Sequence, residues 1–279
     1  MNISKKPKIA LCFFGITRSL RFTIASIREN VLLPASDRGE VCLFGHFFDL
    51  EKISNIRSSE DNILLNKEYD LLDFSNLELD SPNIPEVERL FEFTSGFGDH
   101  WGDGLQSLRN LCHQLYSLSA VTRAATKADC DIFVFCRPDL MYLDSLDSVY
   151  DMALGAKVDG VWLPNWQCAH GGYNDRFAVC CSRRAAEAYG LRHAHVEQFC
   201  STYLRSLHSE LLLKSAMRAN GISVWGVPNR AVRMRATGLP VSEEFGNDWR
   251  KTEFSLLRLR IRSYAKRILF TVVRGFGLR

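Results

Sequence analysis

The chain has 279 residues, of which 46% are hydrophobic and 24% charged. That is the balance of a globular protein and excludes a disordered, collagen-like or many-span membrane chain. The net charge of +3 hides an asymmetry, because residues 250–279 carry nine Lys or Arg against the single acid Glu253, which leaves the preceding body acidic.

The apolar run from Ile9 to Ile16 is shorter than a signal-peptide core and lacks a small-residue cleavage site. Lys8 to Phe14 therefore reads as a first strand buried on both faces, and the expected location is cytoplasmic. After Gly15 the period becomes helical, with Leu20, Ile24, Ile27 and Val31 recurring until Pro34. Val41 to Phe48 predicts a second buried strand. Residues 51 to 100 are polar and read as an irregular insertion with a short strand or two. Gly104 to Lys127 predicts a helix with a leucine stripe, and Asp131 to Cys136 is the clearest strand in the chain. Val158 to Leu163 predicts another strand, followed by an aromatic, Gly-rich loop over 164–174. Phe177 to Cys181 reads as a short strand leading into a helix near Ser182 to Tyr189. A further helix runs from Ser209 to Asn220-Gly221, and Ile222 to Val227 is the expected last strand. This alternation predicts one α/β domain over residues 1–249, with a mostly parallel central sheet flanked by helices.

Nine cysteines lie between Cys12 and Cys200 with no CxxC pair, and neither Cys nor His recurs at metal-ligand spacing. A disulfide framework and a structural zinc site are therefore not expected. Residues 250–279 form a basic amphipathic tail. At 100° per residue Phe254, Leu257, Ile261, Tyr264, Ile268 and Val272 share one side of a helix. Such a tail suits the surface of an anionic bilayer, on the inner face of the plasma membrane. The alternative is a helix that docks this stripe on the body. The acidic body and the lack of a recognition motif argue against nucleic acid.

Ligands of open α/β sheets bind at the carboxyl ends of the strands, and this sorts the polar candidates. Gly15-Ile-Thr17-Arg18 follows the first strand, where backbone N–H groups and a guanidinium suit a diphosphate; a plain helix start with a surface Arg is the alternative. Asp129-Cys-Asp131 precedes its strand and so lies at the wrong end. Arg137-Pro-Asp139 follows that strand, where Asp139 can hold a divalent cation, Mn²⁺ or Mg²⁺, or simply pair with Arg137 in a turn. The loop Gly171-Gly172-Tyr173-Asn174-Asp175-Arg176 mixes glycines, polar groups and aromatic neighbours, a composition suited to a sugar. Glu210 opens a helix as a dipole-stabilised carboxylate or as a general base facing the cleft.

In this order the stretches Lys8 to Arg18, Leu43-Phe-Gly-His46-Phe, Gln114-Leu-Tyr-Ser117, Val134 to Leu140, Asn174 to Ala178 and His208-Ser-Glu210-Leu-Leu resemble bacterial GT-A-type glycosyltransferases of lipopolysaccharide and capsule clusters. The resemblance implies a GT-A-like, Rossmann-like fold and a nucleotide-sugar donor bound by Gly15, Thr17, Arg18, His46, Arg137, Asp139, Gly171, Gly172 and Asn174. It also implies an acceptor hydroxyl on a glycan or lipid-linked glycan, with Glu210 or Asp175 as catalytic base. Two features depart from the family pattern: the motif after the third strand has one carboxylate, and no histidine follows His208. Neutralisation of the leaving diphosphate is thus left to a cation on Asp139 or to Arg18, Arg137 and the Arg233/Arg235 pair. A non-catalytic nucleotide- or glycan-binding protein of the same fold is the rival from another class.

Overall fold

The computed structural model describes residues 6–55, 60–64 and 67–275. The first strand, β1 (Lys8–Gly15), is followed by α1 (Leu20–Ile27), a π-helical turn (Arg28–Leu32) and α2 (Leu33–Arg38), then by β2 (Glu40–Phe48). The helix expected to stop at Pro34 instead continues past it. Pro34 sits at the second position of α2, where its missing N–H costs little, and the wider turn before it accommodates the ring.

Between residues 51 and 100 the chain forms a hairpin of β3 (Lys52–Asn55) and β4 (Glu60–Ile63), then β5 (Asn76–Asp80) and α3 (Pro85–Ser95). This stretch is more regular than its polar composition predicts, because β5 adds to the edge of the main sheet beside β2. Next come α4 (Gln106–Ala125), β6 (Ile132–Cys136), β7 (Leu140–Tyr142), α5 (Asp147–Leu154) and β8 (Gly160–Pro164). They are followed by β9 (Ala178–Cys180), α6 (Arg183–Gly190), α7 (Val196–Tyr203), α8 (Ser209–Ala219), β10 (Ser223–Val227), β11 (Ala231–Arg233) and α9 (Ser255–Gly275).

Seven strands make the central sheet in the order β10-β8-β9-β6-β1-β2-β5. All neighbours are parallel except β9, which runs antiparallel to both β6 and β8. The α/β class and mostly parallel sheet expected from the sequence are therefore present.

The period of two along β1 divides the core. Ile9, Leu11 and Phe13 face the side covered by α1 and α5, whereas Ala10, Cys12 and Phe14 face the side covered by α4, α6 and α8. A third apolar cluster joins α3, α4, α7 and the start of α8. All nine cysteines are free thiols.

Leu256 of α9 is buried in that third cluster and Leu259 packs against it. Ser263 is buried on the same side, while Lys266 and Arg267 donate to the carbonyls of Leu204 and Ser201 at 3.4 and 3.0 Å. This docking uses a face other than the apolar stripe read from the sequence. Leu257, Ile261, Tyr264 and Ile268 stay 50–69% exposed, so a tail docked by its stripe is not what the chain adopts. The side chain of Val272 and residues 276–279 lie outside the described residues. Among the described residues no helix is long and apolar enough to cross a membrane.

Candidate active site

The carboxyl ends of β1 and β6 open onto a cavity of about 1000 Å³, near the upper end of ordinary small-molecule sites. β1 ends at Gly15, whose φ of +105° turns the chain out of the sheet, a conformation a side chain would strain. The Gly15 N–H donates to Ser117 Oγ (2.8 Å), which in turn donates to the carbonyl of His46 (2.8 Å). His46 Nδ1 lies 2.9 Å from the same hydroxyl and its Nε2 lies 3.1 Å from Asp80. His46 is therefore a buried brace between β2, α4 and the end of β1, rather than a donor-binding group on the cavity wall.

Arg18 stands one turn beyond β1, and Asp139 follows β6. Asp139 accepts from Arg137 through both oxygens (2.9 and 2.8 Å) and from Arg18 at 2.8 Å. Burial alone would raise the Asp139 carboxyl, but Arg137 and then Arg18 hold it well below the ordinary carboxylate range. The antiparallel pairing of β7 with β11 brings residues 233–235 alongside, and Met234 N–H donates to the Asp139 carbonyl at 2.7 Å.

Two carboxylates with no sequence signal complete this basic wall. Glu60 accepts from Arg18 and Arg235, both at 3.1 Å, and Glu243 accepts from Arg176 (2.9 Å) and Arg233 (2.7 Å). Five guanidiniums that line the cavity are thus fixed by three buried carboxylates, leaving an excess of positive charge facing the space.

Asp175 and Glu210 line the same cavity. Asp175 accepts from Ser209 Oγ and from Arg192 (3.3 Å). Burial opposes its charge, but Arg192 and the Ser209 bond outweigh it, so Asp175 is held ionised below the ordinary range. Glu210, at the first turn of α8, accepts from the Ala169 N–H through Oε2 at 2.5 Å. Burial and then the neighbouring Asp175 charge push its carboxyl well above the ordinary range.

The glycines of the 164–176 loop serve packing. A Cβ on Gly172 would stand 2.5 Å from the Glu210 carbonyl carbon, so only glycine lets the loop lie against α8 at that point. The Gly171 carbonyl accepts from Ser255 Oγ (2.7 Å) and Lys214 Nζ (3.2 Å), tying the loop to α8 and α9. Asn174 is fully buried and bridges Trp166 O and Arg176 N. Thr17 accepts through its main-chain oxygen from Leu20 at the turn into α1. Of the residues expected to hold a donor, the fold brings Gly15, Arg18, Arg137 and Asp139 onto the cavity wall. His46, Gly171, Gly172 and Asn174 instead shape the elements behind it.

A divalent cation on Asp139 does not fit this donor set. Both oxygens of the carboxylate already accept from guanidiniums, and a doubly charged ion there would sit among Arg18, Arg137 and their neighbours. Asp129 and Asp131 lie at the opposite edge of the sheet, where Asp131 accepts from Lys8 N–H at 2.8 Å.

Histidines far apart in the sequence also meet at the cavity. His100, His170 and His208 each offer a nitrogen within 4.8 Å of the others, a convergence that spacing alone does not reveal. Burial, reinforced by His100 and His170, pushes the His208 imidazole down to about 3, so this ring is neutral near neutral pH.

No protein-family model matches the chain, and no curated protein matches it. Among solved structures, core-mannan synthase A from Aspergillus fumigatus in a Mn/GDP form is similar at 8% identity over 91% of this chain and 86% of that one, with a TM-score of 0.49. Mouse xyloside xylosyltransferase 1 is similar at 10% identity over 79% and 84%, with a TM-score of 0.43. Galactosyltransferase LgtC with donor and acceptor sugar analogs is similar at 15% identity over 78% and 72%, with a TM-score of 0.39. At such identities and scores these likenesses assign no substrate, metal or residue role to this chain.

Proposed function

We propose that the protein is a GT-A-type glycosyltransferase that moves a sugar from a nucleotide-sugar donor to a hydroxyl of a growing surface glycan, such as lipopolysaccharide, O-antigen or capsule. The observation that carries this reading is the arginine wall at the carboxyl edge of β1 and β6, in one cavity with Glu210. Fixed guanidiniums match the charge and the paired oxygens of a diphosphate. Because Glu60, Asp139 and Glu243 hold them in place, they need little reorganisation when a leaving diphosphate gains charge. In the reaction the bond from the anomeric carbon to phosphate oxygen breaks as the acceptor oxygen bonds that carbon. The acceptor proton passes to the Glu210 carboxylate in its ionised form, whose Oε2 is already oriented by Ala169. Asp175, pinned by Arg192 and Ser209, is less free to take it.

The acceptor belongs, on this proposal, to a lipid-linked glycan at the cytoplasmic face of an anionic membrane. The exposed stripe of α9 with its flanking arginines supports that placement.

Thermal-shift measurements against UDP-, GDP-, CMP- and dTDP-sugars, each with and without Mn²⁺, test the donor site. One nucleotide class should raise the melting temperature without needing the metal, and sugar transfer should follow with the same donor. No shift with any donor would overturn the assignment. Stabilisation without turnover would instead favour a nucleotide-binding assembly protein.

A further inference from the structure

We propose that His100, His170 and His208 bind one divalent transition-metal ion of the zinc class at the side of the cleft, separate from the arginine wall. The three imidazoles come from three different segments: the loop before α4, the short turn Ala169–Gly171 after β8, and the residue that caps α8. Their ring centroids form a nearly regular triangle with sides of 4.9, 4.9 and 5.0 Å. Each pair of planes is steeply crossed, at 82°, 82° and 85°. Such mutually crossed rings can turn one nitrogen each toward a shared point. Zn–N distances of about 2.1 Å in tetrahedral geometry require nitrogens about 3.4 Å apart, so closure from within 4.8 Å needs only small ring movements.

His208 is 7% exposed, and its Nδ1 is buried with no hydrogen-bond partner, an unmet polar group on the most buried of the three rings. His170 is exposed on the cavity side, which leaves the fourth position open to water or substrate oxygen. A set of three imidazole ligands selects Zn²⁺, Co²⁺ or Ni²⁺ over Mg²⁺ or Ca²⁺, which prefer oxygen ligands. The ion would tie two loops to the start of α8, two residues from Glu210. Edge-to-face packing of the three rings is the competing account of the same geometry.

Metal-stripped, untagged protein titrated with Co²⁺ decides between them, with Zn²⁺ as competitor and no nucleotide sugar present. The outcome is thus independent of the transferase reading. The expected result is one equivalent of Co²⁺ with visible ligand-field bands, displaced by Zn²⁺. His170→Asn keeps a residue that tolerates the left-handed backbone at φ +53°. His100→Ala is the second variant, in case one misfolds. Each should weaken binding by roughly tenfold or more, while the metal-free melting temperature stays that of the unmodified chain. Absence of stoichiometric binding would overturn the proposal. So would undiminished binding in both variants, or an intense thiolate-to-cobalt band marking a cysteine site.

Discussion

At the scale of single residues, the site separates groups by environment more than by type. Asp139, Asp175 and Glu210 are all buried carboxyls on one cavity, yet the first two face guanidiniums and Glu210 faces a backbone N–H and a like charge. The sequence placed Asp139 after the strand now seen as β6 and Glu210 at the start of a helix, and both line the cavity, because strand ends and a helix start are readable from periodicity. It offered the Arg137–Asp139 pair as an alternative to a cation, but did not reveal that Arg18 joins that pair, nor that Glu60 and Glu243 anchor the other arginines. Those carboxylates lie in segments whose pattern carries no period, and only the tertiary fold delivers them. Glu210→Gln tests the division of labour. The amide oxygen can still accept from Ala169 but cannot take a proton, so transfer should fall by about 10²- to 10⁴-fold with donor binding retained. Steady-state transfer and donor titration on the same preparation check it, and full activity would remove Glu210 from the mechanism.

The elements that were legible are those with long, unbroken periods: β1, β2, β6, α4 and α8 all lie where the apolar pattern predicts them. What stayed unread depends on partners elsewhere. The short strand expected at 177–181 is present as β9, but its antiparallel pairing, like the place of β5 at the sheet edge, is a fact of pairing that a single segment does not encode. β7 and β11 have three residues each and exist as a pair that carries residues 233–235 to Asp139. The π-turn before Pro34 is likewise a local accommodation invisible to hydrophobic period. Helix α8 also carries a test of how elements are joined. Lys214 is fully enclosed and donates to Ser255 Oγ (2.7 Å) and the Gly171 carbonyl (3.2 Å), and burial lowers its ammonium to about 8. Between about pH 8 and the unfolded value near 10.4 the unfolded chain holds the proton more often than the native one. Stability contributed at this site therefore rises with pH across that window. In urea unfolding at a series of pH values, the stability of the unmodified chain relative to Lys214→Met should increase from pH 8 to 10. A flat difference would mean that the buried amine is charged throughout.

For the whole molecule, the distribution of charge and the docking of α9 belong to one argument. The body is acidic and the tail basic, so an anionic surface attracts one end of the protein and repels the rest. Helix α9 is held to the body by Leu256, Leu259 and Ser263, which rotates Leu257, Ile261, Tyr264 and Ile268 outward. Exposed Arg258 and Arg262 flank that stripe on one side and Arg260 on the other. Each basic residue near an anionic leaflet contributes about 1 kcal/mol, and insertion of the apolar side chains adds to it. The contact is therefore expected to be strong on anionic vesicles at low salt, weak on zwitterionic ones, and reduced as the Debye length shrinks. Replacing Ile261 and Tyr264 together by Glu leaves the docked face intact, because both side chains are more than 60% exposed. It should abolish co-sedimentation with phosphatidylglycerol vesicles without lowering the unfolding free energy by more than about 1 kcal/mol. Transfer to a soluble acceptor should be unchanged and transfer to a lipid-linked one reduced, which separates membrane placement from catalysis. Equal binding to neutral vesicles, or unchanged binding by the double variant, would show that the stripe does not meet a bilayer.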